Sequence, residues 1–246
     1  RSQTMMKPTF HVFLLAIMMG LFLCSAALAE EVTIQSQADI DGQLMQDVTG
    51  LITLVNSSSI IFKVGEDSGS SYSSRGFVSF DLPTTPDDMI VDDVVLRVYQ
   101  SAVSASSPYT DLYSDAQTNS TIIVDHLAYG SGLDTSDYDL TALTENVGTL
   151  SETSTLEWKE LNVKSQVVAD MNALRTRSQF RLRFTPLENN GDSTTSYATF
   201  ITGDGHSPPE LIVTYIPPIP TLSEWGLLLL SLMLGFVFVY KTRVRI

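Results

Sequence analysis

The chemistry available to this chain comes mostly from oxygen. Its 246 residues include 28 acidic and 14 basic side chains, three histidines and one cysteine. None of the histidines stands in a His-Glu-x-x-His pair, and the sequence has no Gly-x-Ser-x-Gly elbow and no glycine-rich phosphate loop. His11 lies in an N-terminal leader, His126 in an apolar run that reads as a strand, and His206 in a turn with Asp204. Carboxylates are numerous enough for a glycosidase pair, but no spacing singles one out. The expectation is a non-enzyme. Two acidic clusters have loop spacing suited to calcium: Asp39 and Asp41 in one, Asp134, Asp137 and Asp139 in the other. Neither completes a twelve-residue calcium loop, and solvated acidic turns are the favoured reading of both. Tyr72, Tyr109, Tyr113 and Tyr138 fall in polar stretches, where an exposed ring could stack on a sugar. Tyr129 and Tyr197 read as partly buried.

These residues must be positioned by short strands. Between residues 31 and 215, alternating runs are separated by Gly, Ser, Asp, Asn and Pro. Strands are expected at 32–37, 52–55, 60–64, 75–80, 94–99, 121–127, 156–163, 179–184, 196–201 and 209–215. Val94, Leu96 and Val98 share one face, with Val95, Arg97 and Tyr99 on the other. Phe180, Leu182 and Phe184 point inward, Arg181 and Arg183 outward. Leu156, Trp158 and Leu161 are core candidates. One short helix is expected where Val163, Val167, Val168, Met171 and Leu174 recur at helical spacing, with Asn162 or Ser165 at its start. The predicted fold class is all-β: an antiparallel jelly-roll-like β-sandwich with one short helix.

Both ends of the chain are different in kind. Translation is expected to start at Met5 or Met6. Lys7, the apolar run from Phe10 and the small residues Ala27 and Ala29 make residues 1–29 a secretory signal peptide, cleaved by signal peptidase before Glu30. Leu23 before Cys24 does not suit a lipobox, so the mature chain has no cysteine for disulfides or catalysis. Between residues 30 and 240 nine basic residues face 28 acidic ones, a balance of −19 (9 − 28). Nucleic acid is thereby excluded as a partner.

At the other end, residues 216–246 combine the motif Ile219-Pro-Thr-Leu-Ser-Glu-Trp-Gly226, an apolar run over 225–240 and a basic tail, 241–246. Lys241, Arg243 and Arg245 suit a positive-inside stop-transfer end. The run of 16 residues from Trp225 to Tyr240 gives about 24 Å of helix against ~30 Å of hydrocarbon, a marginal single transmembrane helix. Ile219, Pro220, Thr221, Leu222, Trp225 and Gly226 resemble the IPTL variant of the PEP-CTERM sorting signals. These are read by exosortase-like membrane enzymes in Gram-negative bacteria. The resemblance implies an exported, membrane-tethered precursor that is cut near the motif and passed to the cell surface or medium.

The body, residues 30–215, has its own resemblance. Arg75-Gly-Phe-Val-Ser-Phe-Asp-Leu-Pro83, Val94-Val-Leu-Arg-Val-Tyr99, Trp158 ahead of Leu161-Asn-Val163, Phe180-Arg-Leu-Arg-Phe184 and Ser207-Pro-Pro-Glu-Leu-Ile-Val-Thr-Tyr215 resemble the DNRLRE-type β-sandwich domains, which overlap a family of carbohydrate-binding modules. That implies an extracellular module that binds glycans or partner surfaces, of use in adhesion or a biofilm matrix. The competing readings are a secreted polysaccharide hydrolase and a purely structural matrix component.

Overall fold

The computed structural model describes residues 29–55, 59–67, 72–87, 89–112, 119–192, 194–218 and 230–235. Residues 30–215 form one compact unit. Among the described residues twelve strands are found: β1 (Glu30–Gln35), β2 (Gly42–Gln46), β3 (Ile52–Val55), β4 (Ile61–Asp67), β5 (Tyr72–Asp81), β6 (Ile90–Val103), β7 (Thr121–Leu127), β8 (Thr144–Ser151), β9 (Trp158–Asn162), β10 (Arg177–Thr185), β11 (Ser196–Ile201) and β12 (Glu210–Ile216). Two short helices are α1 (Pro108–Asp111) and α2 (Lys164–Asn172).

The all-β antiparallel expectation matches the described residues, but the two separate sheets do not. The strands form one continuous open sheet in the order β1-β12-β6-β11-β4-β5-β10-β7-β8. β9 adds to β6, β2 to β5, and β3 to β2. The physical reason is β6. At 14 residues it is ~46 Å long, so its middle (Val95 to Tyr99) pairs with β9 while its end (Gln100 to Val103) pairs with β11. The sheet curls, and the inner faces of both limbs contribute to one core containing Phe62, Phe80, Leu96, Phe180, Phe200 and Val213.

Period-two alternation drives this burial. Val94, Leu96 and Val98 are buried and Val95, Arg97 and Tyr99 half-buried, as their spacing predicts. In β10, Phe180, Leu182 and Phe184 face the core, yet Arg181 on the opposite side is buried as well. The outward face of β5, β10 and β7 is roofed by a second apolar cluster, in which Tyr129, Leu133 and Tyr138 pack on Phe77 and Leu127. α2 is capped by neither expected residue: Val163 occupies the N-cap position with no side-chain cap, although Asn162 Oδ1 accepts the Lys164 amide at 3.2 Å. It ends sooner: Leu174, expected on its apolar face, has φ +56° and is 89% exposed.

Candidate functional site

An aromatic pair lies on the solvent side of β6 and β9. Antiparallel pairing sets Trp158 directly opposite Tyr99, so both rings share one face. Their centroids are 5.5 Å apart, edge to face, and the Arg97 guanidinium lies 4.6 Å over the Trp158 ring. Arg97 is held there by Glu160 at 3.0 Å and Glu210 at 3.3 Å. Beside Trp158 is a depression of about 360 Å³, lined by Thr149, Ser151, Thr153, Glu157, Lys159 and Glu160 among others.

The wall of this depression is fixed from below. Buried Tyr109 donates to Gln100 Oε1, and its hydroxyl oxygen lies in hydrogen-bond contact with Ser151 Oγ at 2.8 Å. Gln100 Nε2 in turn donates to the carbonyls of Thr153 and Thr155 at 3.0 Å. Lys159 Nζ donates to Thr153 Oγ1 at 2.9 Å and Glu157 Oε1 at 2.8 Å. Burial pushes the Tyr109 phenol up, so it stays a neutral donor. A half-exposed indole beside fixed hydroxyl, carboxylate and ammonium groups suits a ligand with an apolar face and several hydroxyls.

A second depression, of about 270 Å³, opens on the roofed face and is almost wholly charged. Fully buried Asp125 accepts from Arg181 Nη2 at 2.8 Å and Arg183 Nε at 2.7 Å. Arg75 lies 3.9 Å over the Tyr138 ring, donates to both Glu188 oxygens and pairs with Asp139 at 3.0 Å. Most of these charges satisfy one another, which makes the cluster a brace. A third cluster centres on Asp170, which takes His126 Nε2 at 2.8 Å, Ser178 Oγ at 2.6 Å and Arg175 Nη1 at 2.9 Å. Ser178 bonds the carboxylate and not the imidazole, and His126, Ser178 and Asp170 are all buried. That is not the nucleophile-base-orienter sequence of a hydrolytic triad.

The residues singled out in the sequence are scattered. Tyr109 and Tyr138 are buried, at 3% and 0% exposure, and present no face to a sugar. Polar neighbours in sequence made them look like loop tips, but each anchors a network. Burial pushes the Tyr138 phenol up to about 12. Tyr72 is half-buried at the start of β5, and Tyr113 lies outside the described residues. Of the five aspartates, Asp39 is exposed. Asp134 and Asp137 cap a 3-10 turn reciprocally, and Asp139 pairs with Arg75. Among the described residues no three His, Cys, Asp or Glu side chains gather as a metal cluster. Trp158 was legible in part: Trp158 and Leu161 are three apart, so one strand cannot turn both inward. Leu161 opposes inward Leu96 and Trp158 opposes outward Tyr99, while Leu156 is 53% exposed.

Asp41 is buried with one oxygen satisfied by Ser36 Oγ at 2.8 Å and Gly203 N at 2.7 Å, and the other unpartnered. Burial raises its pKa from 3.8 to about 6. A raised carboxyl pKa stabilises the fold below the unfolded value, and that contribution is lost as pH rises through the folded one. Wild-type melting temperature should therefore fall from pH 4 to pH 7 by an amount equivalent to at most roughly 3 kcal/mol. Asp41→Asn should flatten that slope, as read by calorimetry across the pH series; equal slopes in both proteins would refute it.

The described body is a β-rich module built on one curled, open antiparallel sheet. The family comparison then falls on the other end of the chain: residues 217–245 match the IPTL-CTERM motif. The match supports a C-terminal sorting domain, and with it an exported protein sorted through its C-terminus. No curated protein matches the chain significantly. The motif residues 219–226, the tail residues Lys241, Arg243 and Arg245, and Ala27 lie outside the described residues, whereas Ala29 and Glu30 open the described body. Of the expected span 225–240, residues 230–235 are described and helical. Among the described residues no helix is long and apolar enough to cross a membrane.

Proposed function

We propose that this is a surface or extracellular-matrix protein, cut near residues 219–226 by an exosortase-like membrane enzyme, whose curled-sheet body binds glycans at the depression beside Trp158. The observation that carries the binding half is the half-exposed indole of Trp158, stacked on by Arg97 and bordered by Glu157, Glu160 and Lys159. Amphipathic rings of this kind supply much of the energy of a small contact surface. The sorting half is supported by the match over residues 217–245.

The test is a glycan array probed with wild-type protein and with Trp158→Ala. Truncating a central aromatic anchor costs about 2 kcal/mol or more, so affinity for the sugars bound by wild type should drop roughly 30-fold. Trp158→Phe, which keeps a ring against Tyr99, should retain part of it. Wild-type protein that binds no sugar, or an alanine variant that binds as well, would refute the glycan reading.

A further inference from the structure

Four strands have only one hydrogen-bonded neighbour among the described residues: β1, β3, β8 and β9. A bare sheet edge presents a row of unpaired N–H and C=O groups, and proteins guard it with charge or irregular backbone. Three of the four are guarded. β1 carries exposed Glu30 and Glu31, and β9 carries Lys159 and exposed Glu160. β8 carries exposed Glu145, its register with β7 shifts twice, and Asn146 within it has φ +48°. β3, Ile52-Thr-Leu-Val55, has no charge, no proline and no register shift against β2. The lack of charge extends beyond the strand. From Val48 to Phe62 the sequence has no acidic or basic residue, in a chain of net charge −14. Val48, Leu51 and Leu54 are exposed, whereas Ile52 packs against the second apolar cluster.

Pairing with β2 fixes which backbone groups of β3 point outward. At the hairpin end Asp47 N donates to the Leu51 carbonyl at 3.0 Å. Antiparallel bonds recur at every second residue, so Thr53 and Val55 bond inward to Met45 and Gln43. The N–H and C=O groups of Ile52 and Leu54 then face outward. An antiparallel copy of the same strand satisfies all of them, with Ile52 of each copy opposite Leu54 of the other. That register is closed and two-fold, because both copies use the same patch. It sets Thr53 opposite its own counterpart and keeps the two Asp47 carboxylates at opposite ends of the pairing.

We propose that β3 is a self-association edge, through which two copies of this chain join their sheets antiparallel about Thr53. Charge identifies the occupant. Bodies this acidic repel one another over most of their surface, and the uncharged stretch 48–62 is where two copies meet without opposing like charges. The inference is independent of the glycan reading. A four-residue strand buries less than a standard interface, so the pairing serves copies concentrated on a membrane or in a matrix.

The test is disulfide trapping of the full chain in detergent, in a Cys24→Ser background with one cysteine introduced. The proposed register makes the two Thr53 positions a non-hydrogen-bonded pair, with Cα atoms about 4.5 Å apart. That lies within the roughly 4.4–6.8 Å that a disulfide spans, and Thr53 is exposed. Under mild air oxidation Thr53→Cys should give a covalent dimer at least about tenfold faster than Thr33→Cys, on the exposed face of the guarded β1 edge. Adding Leu54→Lys should slow the linking of Thr53→Cys roughly tenfold while leaving the melting temperature unchanged. Thr53→Cys that links no faster than Thr33→Cys would overturn the proposal. Linking that is equally fast with Leu54→Lys present would overturn it too.

Discussion

Asp125→Ala should lower the stability of the body by about 3–5 kcal/mol, the cost of breaking a buried ion pair from one side. Asp125 has no exposed surface and serves three donors at once: Arg181, Arg183 and the Asn146 amide at 3.0 Å. Without it, the Arg181 side chain, only 7% exposed, keeps the carbonyls of Tyr138 and Leu140 but loses its counter-charge. Arg183, at 23%, can turn to water, so the penalty falls mainly on Arg181. Asn146, held at φ +48°, loses the acceptor that fixes its turn. The expected reading is a lower urea midpoint with an unchanged m-value. A loss below about 1 kcal/mol, the range of an exposed pair, would contradict the assignment of this cluster as a brace.

The same carboxylate sets an acid limit of opposite sign to Asp41. Burial pushes its pKa up, but hydrogen bonds from Arg183, the Asn146 amide and Arg181 outweigh that and hold it below the usual value of 3.8. Its stabilisation is therefore full above that value and is lost as pH falls through the lowered one. Asp125 is thus a reason for unfolding in strong acid, and Asp41 a reason for weakening toward neutrality.

Replacing Pro220 and Thr221 together with alanine should stop C-terminal processing while leaving the body's melting temperature unchanged. The sheet ends at Ile216, and Pro217 and Pro218 follow outside regular structure. Neither proline has an amide hydrogen to extend a ladder, so β12 stops ahead of the motif. The body and the signal are therefore separable by substitution. The double variant should accumulate as the uncut chain in the membrane fraction. Equal release of variant and wild type would show that these positions are not read.

How far the sequence reaches can be seen strand by strand. β7 and β11 have the bounds expected from the sequence, and β6 buries the face its period-two alternation predicts, because one-sided burial is what such patterning encodes. β8 was invisible: Val147 and Leu150 are its only large apolar residues, it lies at the end of the strand path, and its register with β7 shifts twice. β2 was hidden for a different reason, since the aspartates just before it read as a loop. The outward face of β10 was misjudged because charge was equated with solvent, while Tyr138 and its neighbours roof it. The aromatic site depended on a long-range register, Tyr99 against Trp158, with 58 residues between the two strand positions left unconstrained by local pattern. The C-terminal signal needed no folding at all. Its motif, apolar run and basic end are contiguous, which is why it was the most legible part of the chain.

Removal of the tail is measured directly by the mass of the intact protein recovered from cells and from medium. A chain beginning at Glu30 and ending near residues 219–226 is the predicted result, and a recovered chain that still ends at Ile246 would contradict it.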